Sequence, residues 1–332
     1  MIPVVAFFNN KGCVGKTTLV YHMAWMMAEL GISVLAVDLD PQANLTSVLL
    51  DETRVEQLWE GGERQSVYGA LAPLLEGEGG VAAPHVEEVS SNLRLVPGDL
   101  LLSGAEQELS AQWSRVLDGE RRAFRVESAF AQVIRFAVEA TGASIVLVDV
   151  GPNLGAVNRA AMVASDRVVV PLAPDLYSLQ GLRNLGPALV RWRAEWNERK
   201  LKVPQPTDWI PGGEMQPIGY VVLQHSVRMD RAVGAYDRWM RRVPSEYRTS
   251  VLQQGATEAS AADDPECLGL VKHYHSLIPM AQEARKPVFL LRSADGAIGA
   301  HQQAVQAAYR NFQDLATRIL ERIELGGLVQ GP

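Results

Sequence analysis

Residues 4–18 read VVAFFNNKGCVGKTT, a continuous apolar run followed by a turn rich in glycine and lysine. The run predicts a buried parallel strand, and the residues after the turn predict a helix. A turn between such a strand and helix can bind phosphate, because its backbone N–H groups and the helix N-terminus attract anions. In such a loop Lys16 reaches the β- and γ-phosphates and the Thr17 hydroxyl binds Mg²⁺. The predicted nucleotide-binding residues of the loop are Gly12, Cys13, Val14, Gly15, Lys16, Thr17 and Thr18.

The composition is that of a globular protein, with 332 residues of which 47% are hydrophobic and 21% charged. A net charge of -7 argues against a general attraction to nucleic acid, although a local basic face stays open. The two cysteines form neither a disulfide framework nor a zinc motif. No apolar stretch approaches the roughly 20 residues of a membrane-spanning helix, and the N-terminus does not resemble a signal peptide. We therefore expect a cytoplasmic protein with no membrane partner.

Apolar strands alternate with helical stretches along the chain. The predicted strands after the first are 33–37, 93–98 with its turn, 144–148, 167–172, 218–223 and a last short one that ends at 277–279. This alternation predicts an α/β fold, with a mostly parallel twisted sheet and helices on both faces. We expect a single domain over residues 1–332, with insertions around 50–140 and 195–275.

Three aspartates follow predicted strands: Asp38 and Asp40 after the second strand, and Asp149 after the strand at 144–148. A single aspartate after a strand is more often a turn or helix-capping residue. Ligands of parallel sheets, however, bind at the carboxyl ends of the strands. Three carboxylates at that edge, beside a phosphate loop, therefore favour a magnesium and catalytic site.

A second lysine, Lys11, opens the phosphate loop. The stretch KGCVGKTT at residues 11–18 resembles the deviant Walker A motif of the ParA/MinD family, usually written KGGVGKTT, with Cys13 in place of a glycine. The resemblance implies a P-loop ATPase fold, in which ATP joins two subunits face to face and Lys11 reaches the partner's nucleotide. Cys13 departs from the pattern, and its side chain is expected to restrict the loop backbone.

The aspartates fit the same family. The segment DLDPQ at residues 38–42 resembles the family's switch I, which implies that Asp40 acts on the attacking water and that Asp38 supports the Mg²⁺ shell. Asp149 resembles the Walker B carboxylate, which holds Mg²⁺ through water. Gly151-Pro152 is similar to the turn of switch II, with glycine for the first proline.

Two further segments are similar to ParA proteins. Residues 170–182 resemble the stretch VPxxPxxxSLxGL, and residues 277–288 resemble the loop that contacts the nucleotide base. The second resemblance implies that Pro279 and Met280 lie against adenine. The tail lacks a basic amphipathic membrane helix and the cysteines cannot hold an iron–sulfur cluster, which argues against the MinD-like and nitrogenase-reductase-like members. We expect the short ParA/Soj type, since no helix-turn-helix pattern precedes the first strand.

The resemblance also implies partners. In ParA proteins, ATP dimers bind DNA nonspecifically through basic residues in this half of the chain, and a ParB-like protein stimulates hydrolysis. The residues that we expect to contact DNA are Arg183, Arg191, Arg193, Arg238, Arg241 and Arg242. Contacts with phosphates make such binding salt-dependent and independent of sequence. The expected location is therefore a bacterial cytoplasm, on the nucleoid.

Three interpretations stay open from the sequence. The first is an ATPase that segregates or positions a plasmid, a chromosome region or another cargo. The second is a regulatory or scaffold protein that dimerises on ATP without binding DNA, since the arginines also suit an ordinary solvated helix surface. The third is a metabolic P-loop enzyme that transfers phosphate to an acceptor.

Overall fold

A computed structural model of the chain describes residues 2–60, 64–203, 209–223, 233–274 and 276–328. The strands are β1 (Val4–Phe7), β2 (Val34–Leu39), β3 (Glu87–Ser90), β4 (Leu93–Val96), β5 (Ile145–Val150), β6 (Arg167–Leu172), β7 (Gln216–Leu223) and β8 (Cys267–Val271). They form one eight-stranded sheet in the order β3-β4-β2-β5-β1-β6-β7-β8. Only the pairing of β3 with β4 is antiparallel in the described sheet. The parallel strands therefore bring their carboxyl ends to one edge.

Twelve α-helices lie in the described part of the chain. They are α1 (Lys16–Glu29), α2 (Asn44–Leu49), α3 (Glu52–Glu60), α4 (Val67–Leu75), α5 (Ala105–Arg115), α6 (Arg121–Glu127), α7 (Ala129–Thr141), α8 (Ala156–Val163), α9 (Leu176–Lys200), α10 (Val233–Glu246), α11 (Leu277–Ala284) and α12 (Ala300–Arg322). Among the residues that the structure describes, no helix combines the length and apolar character needed to cross a bilayer.

The sheet separates two apolar clusters, and the central strand β1 contributes to both. Val4 and Ala6 belong to one cluster, whereas Val5 and Phe7 belong to the other. Successive side chains of a strand point to opposite faces, so a strand covered on both faces must be apolar at every position. This explains why the decisive run at the N-terminus shows no alternation of polar and apolar residues.

The predicted α/β fold is confirmed, and so is each predicted strand except the last. The prediction of a strand ending at 277–279 was wrong, because these residues begin the helix α11 and the last strand is β8. The buried positions Leu277 and Ala281 lie four residues apart, which is the spacing of one helix face. The single domain stays a prediction, which the continuous sheet supports.

Gly186, in the middle of α9, packs directly against the backbone of a π-helical turn at Tyr247–Val251. A Cβ atom on Gly186 would lie 1.8 Å from the carbonyl oxygen of Ser250, so neither backbone can stay in place if a side chain is added. This close approach fixes α9, which starts at the carboxyl edge of the sheet.

Gly186→Ala should therefore destabilise the protein by about 1–3 kcal/mol, the range for overpacked sites. The matched control is Gly104→Ala, because an added Cβ there meets no atom within 4 Å. Urea unfolding of both variants measures the difference. If the two variants were equally stable, the close contact between α9 and Ser250 would be refuted.

Candidate functional site

The phosphate loop lies between β1 and α1, at the carboxyl edge of the sheet. Gly15 is the N-cap of α1 and has a φ of 81°, a conformation that favours glycine. A Cβ atom there would lie 2.7 Å from Leu223 Cδ1, at the end of β7. Both the dihedral angle and this contact require glycine, which holds the start of α1 against the sheet. The first amides of α1 are thereby directed toward the loop, as phosphate binding needs.

Cys13 has a φ of 57°, so it adopts the left-handed conformation with a side chain. The loop therefore needs glycine-like backbone geometry at the position where the sequence departs from the glycine-rich pattern. A non-glycine residue in this conformation costs about 1 kcal/mol or more. The thiol itself is exposed. The expectation that Cys13 restricts the loop thus has a structural basis.

Lys16 is buried, with 7% of its surface exposed. Its Nζ donates to the carbonyl oxygen of Lys11 at 3.3 Å. Burial lowers the pKa of Lys16, while the charges of Asp149 and Asp40 oppose this shift. Among the described residues, one carbonyl oxygen accepts from Lys16 Nζ. The ammonium group therefore keeps further N–H donors, which a phosphate can accept.

Asp149 lies near the end of β5 and is fully buried. Neither of its carboxylate oxygens makes a hydrogen bond of ordinary geometry with the described residues, although the Thr17 hydroxyl lies close enough to interact with the carboxylate. Burial raises the pKa of Asp149 well above its ordinary value and the charge of Asp38 adds to this, whereas the Thr17 hydroxyl and Lys16 favour the charged form. A buried carboxylate with so little hydrogen bonding is costly unless a cation pairs with it. The pair of Asp149 and Thr17 therefore fits Mg²⁺, which binds to few protein oxygens and keeps several waters.

Asp38 differs from Asp149 because both of its oxygens already accept hydrogen bonds. Oδ1 accepts from the Asp40 amide at 3.2 Å, and Oδ2 accepts from the Thr46 amide at 2.8 Å and hydroxyl at 2.7 Å. The Thr46 hydroxyl also accepts from the Gly98 amide at 2.8 Å. Burial raises the pKa of Asp38 to about 7. Asp38 thus holds the turn at 40–46 against the end of β4, and its predicted place in a Mg²⁺ shell stays a prediction.

Asp40 lies between this turn and the loop after β5. It is 5% exposed, and its Oδ1 accepts from the Gln42 amide at 3.0 Å. A Cβ atom on Gly151 would lie 3.3 Å from the same oxygen. Gly151 therefore leaves room beside the carboxylate, where most larger residues would press against Asp40.

The Lys11 side chain makes an ion pair with Asp175 in the same subunit. Asp175 is also the N-cap of α9, because its Oδ1 accepts from the Ser178 amide at 2.8 Å. The Lys11 amide donates to Asn9 Oδ1 at 3.0 Å. Gly181 makes this arrangement possible, since a Cβ atom there would lie 2.9 Å from Asn9 Oδ1. Sequence reasoning did not predict Asn9 or Asp175 as part of the site.

A cavity of about 490 Å³ opens beside the phosphate loop, and it suits the base and ribose of a nucleotide. Residues that line it include Thr18, His22, Tyr274, Ile278, Gln282 and Phe312. The predicted base contacts, Pro279 and Met280, do not line this cavity. They lie on α11, where helical spacing instead brings Ile278, Ala281 and Gln282 to the cavity wall. The contact of Pro279 and Met280 with adenine stays a prediction, and these three neighbours are the α11 residues that the cavity wall itself offers to a base.

His22 forms part of the cavity wall but has a structural explanation. It is buried, its Nδ1 bonds the Thr18 carbonyl oxygen at 2.7 Å, and its Nε2 accepts from the Val288 amide at 3.4 Å. The ring stacks on Phe312 at 4.7 Å. Burial lowers its pKa to about 4, so it stays neutral at pH 7 and supports α1.

The arginines predicted to contact DNA lie on α9 and α10, two helices that pack against each other. Five of them are exposed: Arg183, Arg191, Arg238, Arg241 and Arg242. Among these, Arg183 pairs with Glu246 at 2.7 Å, and Arg242 lies over the ring of Trp239. Arg193 is less exposed and donates to the carbonyl oxygens of Glu214 and Met215.

Comparison with known proteins places the chain in a family. A family model described as an AAA domain matches residues 2–203. The chain is 33% identical over 199 residues to the chromosome partitioning protein ParA of Caulobacter vibrioides, covering 60% of this chain and 66% of that protein. It is 33% identical over 186 residues to the sporulation initiation inhibitor protein Soj of Bacillus subtilis, covering 56% of this chain and 64% of Soj. The chain thus spans just under two thirds of the length of these relatives.

The fold is also similar to a solved structure. Protein DIP2308 from Corynebacterium diphtheriae superimposes with a TM-score of 0.69 and 24% sequence identity, covering 97% of this chain and 99% of that one. This likeness extends over the whole sheet and its helices, so it supports the fold beyond the region matched by sequence.

Substitution of Cys13 tests the backbone geometry of the phosphate loop. Glycine at position 13 should lower the strain of the left-handed backbone conformation. Valine should raise this strain, because β-branched residues tolerate the conformation least. The free energy of unfolding of Cys13→Val should therefore be about 1 kcal/mol lower than that of Cys13→Gly, as measured in urea. Nucleotide affinity should follow the same order. Indistinguishable variants would mean that the loop is not strained at this residue.

Proposed function

Since this chain belongs to the ParA/Soj-type family of partition ATPases, we propose that it is a switch ATPase that dimerises when it binds ATP. The proposal rests on the different environments of two lysines in the same loop. Lys16 is buried beside Asp149 and Asp40, where it serves the subunit's own nucleotide. Lys11 is only partly buried, at the outer end of the loop, where it can reach a nucleotide held by a second subunit.

The residues at the sheet edge have separate roles in the proposed hydrolysis. Lys16 and the amides of the loop bind the phosphates, and Thr17 and Asp149 hold Mg²⁺, which neutralises charge on the phosphates. Asp40 orients the attacking water, beside the space that Gly151 leaves open. Asp38 fixes the turn that carries Asp40. The products are ADP and phosphate, and we expect a slow intrinsic rate that a ParB-like partner increases.

The proposed output is movement of a plasmid, a chromosome region or another cargo. The ATP dimer binds DNA nonspecifically through α9 and α10, whose exposed arginines supply positive charge despite the net charge of -7. Hydrolysis separates the subunits and releases the DNA. Such a cycle would keep the ATP-bound protein on the nucleoid.

A second candidate is a scaffold protein that dimerises on ATP and binds no DNA. Two observations favour it: Arg183 is paired with Glu246, and Arg193 donates to backbone carbonyls, so each would have to give up a partner in its own chain to contact a phosphate. The nucleotide chemistry is the same in both candidates. They differ only in what the dimer binds.

Retention of a random-sequence DNA duplex separates the two candidates. With Mg²⁺ and ATP the protein should retain DNA at low salt and release it as salt rises, whereas with ADP it should not bind. Arg241→Ala should weaken binding and lower the slope of log affinity against log salt by about 1 for each phosphate that is no longer bound. The matched control is Arg193→Ala, because this arginine already has carbonyl partners. ATP-dependent dimers without DNA retention would favour the scaffold, and the absence of any ATP-dependent dimer would refute both candidates.

Substitutions of Lys11 and of Asp175 should have opposite effects on dimerisation. Lys11→Ala should abolish ATP-dependent dimers while ATP binding persists, because Lys16 is unchanged. Asp175→Asn should strengthen dimerisation about two- to fivefold, the range for a partly exposed ion pair, since Lys11 is then free of its competing partner. Asparagine is also a good N-cap, so α9 keeps its first turn. Sedimentation with a nonhydrolysable ATP analogue measures both effects, and dimers of normal affinity in Lys11→Ala would disprove the action of Lys11 across the interface.

A further inference from the structure

The N-terminus of α8 is capped by a side chain from another helix. Glu106, on α5, accepts two hydrogen bonds from the first turn of α8. Its Oε1 accepts from the Ala156 amide at 2.5 Å, and its Oε2 accepts from the Val157 amide at 2.9 Å. The residue at the N-cap of α8 itself is Gly155, which has no side chain to offer. The carboxylate of Glu106 therefore satisfies the first free amides of α8 and interacts favourably with its helix dipole.

The loop after Asp149 depends on the position of this first turn of α8. Asn158, which is 1% exposed, donates through Nδ2 to the carbonyl oxygens of Gly151 at 2.9 Å and Asn153 at 2.7 Å. The Gly155 amide donates to Asn153 Oδ1 at 2.8 Å. A shift of α8 would thus move the backbone of Gly151 with it.

Gly151 in turn lies beside Asp40. A Cβ atom added to Gly151 would be 3.3 Å from Asp40 Oδ1. Glu106 is therefore linked to the carboxylate proposed to orient water through α8, Asn158 and Gly151. The links from Glu106 to α8 and from Asn158 to Gly151 are hydrogen bonds, and the last link is the position of Gly151 beside Asp40.

The helix that carries Glu106 is itself attached to the other side of the site. A 3-10 turn at Leu100–Gly104 leads into α5, and Gly98, just before this turn, donates to the Thr46 hydroxyl that also binds Asp38. Further along, Arg159 of α8 donates to the Leu109 carbonyl of α5 at 3.1 Å. Segment 98–106 therefore connects the turn at 40–46 with the loop at 151–155.

We propose that Glu106 is a positioning residue for nucleotide hydrolysis: its carboxylate holds the start of α8, and thereby Gly151, in register with Asp40. This inference rests on the proposed ATPase function. Glu106 touches neither phosphate nor the proposed Mg²⁺ residues, so its removal should change turnover and leave nucleotide binding intact.

Glu106→Ala should reduce kcat about 2- to 30-fold, the size expected for removal of one helix cap, with an unchanged KM for ATP. The kcat of Glu106→Gln should lie between that of Glu106→Ala and that of the wild type, because the glutamine amide retains one acceptor oxygen. The matched control is Glu108→Gln on the same helix, where the side chain binds Gln112 and Arg122 and should affect neither constant. A kcat of Glu106→Ala equal to that of the wild type would overturn the proposal.

Gly155→Ala provides an independent test through the same contact. An added Cβ would lie 2.6 Å from Glu106 Oε1 and 2.8 Å from Asn153 Oδ1, so the flexible carboxylate must move away from α8 and the Asn153 side chain must shift as well. The double variant Glu106→Ala/Gly155→Ala should lose less kcat than the product of the two single losses, because both changes remove the contact with Glu106. Additive effects on kcat would contradict the shared mechanism.

Hydrogen exchange supplies a readout that does not require hydrolysis. The amides of residues 151–157 should exchange faster in Glu106→Ala than in the wild type, with or without ATP, while Glu108→Gln should match the wild type. Unchanged exchange in Glu106→Ala would refute the positioning role. If exchange rises as expected but the wild type hydrolyses no ATP, the proposed function fails and the structural role of Glu106 stands.

Discussion

The carboxylate of Asp149 is buried near the end of a central strand, where neither oxygen makes a hydrogen bond of ordinary geometry with the described residues, and the rest of the site is arranged around it. In the sheet, Asp149 is in register with Phe7 on one side and Asp38 on the other. These neighbours place the phosphate loop and the turn at 40–46 beside the same carboxylate. Because an unpaired buried charge is unfavourable, the site is completed only when cations compensate it. Lys16 supplies one positive charge, and the proposed Mg²⁺ would compensate the remaining negative charge.

Three aspartates that look alike in the sequence have different chemistry because their neighbours differ. Asp38 accepts hydrogen bonds with both oxygens, which makes it a structural support. Asp40 uses one oxygen in its own turn and lies next to Gly151. Neither oxygen of Asp149 makes a hydrogen bond of ordinary geometry within the described part of the chain. The number of free oxygens thus rises from Asp38 to Asp149, and so does the capacity to bind a ligand. This gradient follows from tertiary contacts, since all three residues follow strands of the same kind.

The features that the sequence predicted correctly depend on local patterns. The apolar runs of the central strands and the glycine–lysine loop can each be recognised within a few residues, and the parallel sheet follows from their alternation with helices. Strand β3 was missed because its residues are polar and only partly buried, as an edge position allows. The helix α11 was mistaken for a strand because its first residues are apolar. Lys11 and Asp175 are 164 positions apart in the chain, and Glu106 is 50 positions from the α8 amide that it caps. No local sequence pattern predicts either contact.

The helix α9 connects the nucleotide loop with the predicted DNA-binding surface. Its first turn is fixed to the loop by Asp175, which binds Lys11, and by Gly181, which lets Asn9 approach. The same 25-residue helix carries Arg183, about 12 Å from Asp175 at 1.5 Å per residue. A helix held along its length by packing moves as a unit, so a change of partner at Lys11 acts directly on the segment that presents the arginines. Coupling between two sites requires an element with two arrangements that both sites can influence. In the proposed ATP dimer, Lys11 would bind either Asp175 or the second subunit's nucleotide, and this choice would provide those two arrangements.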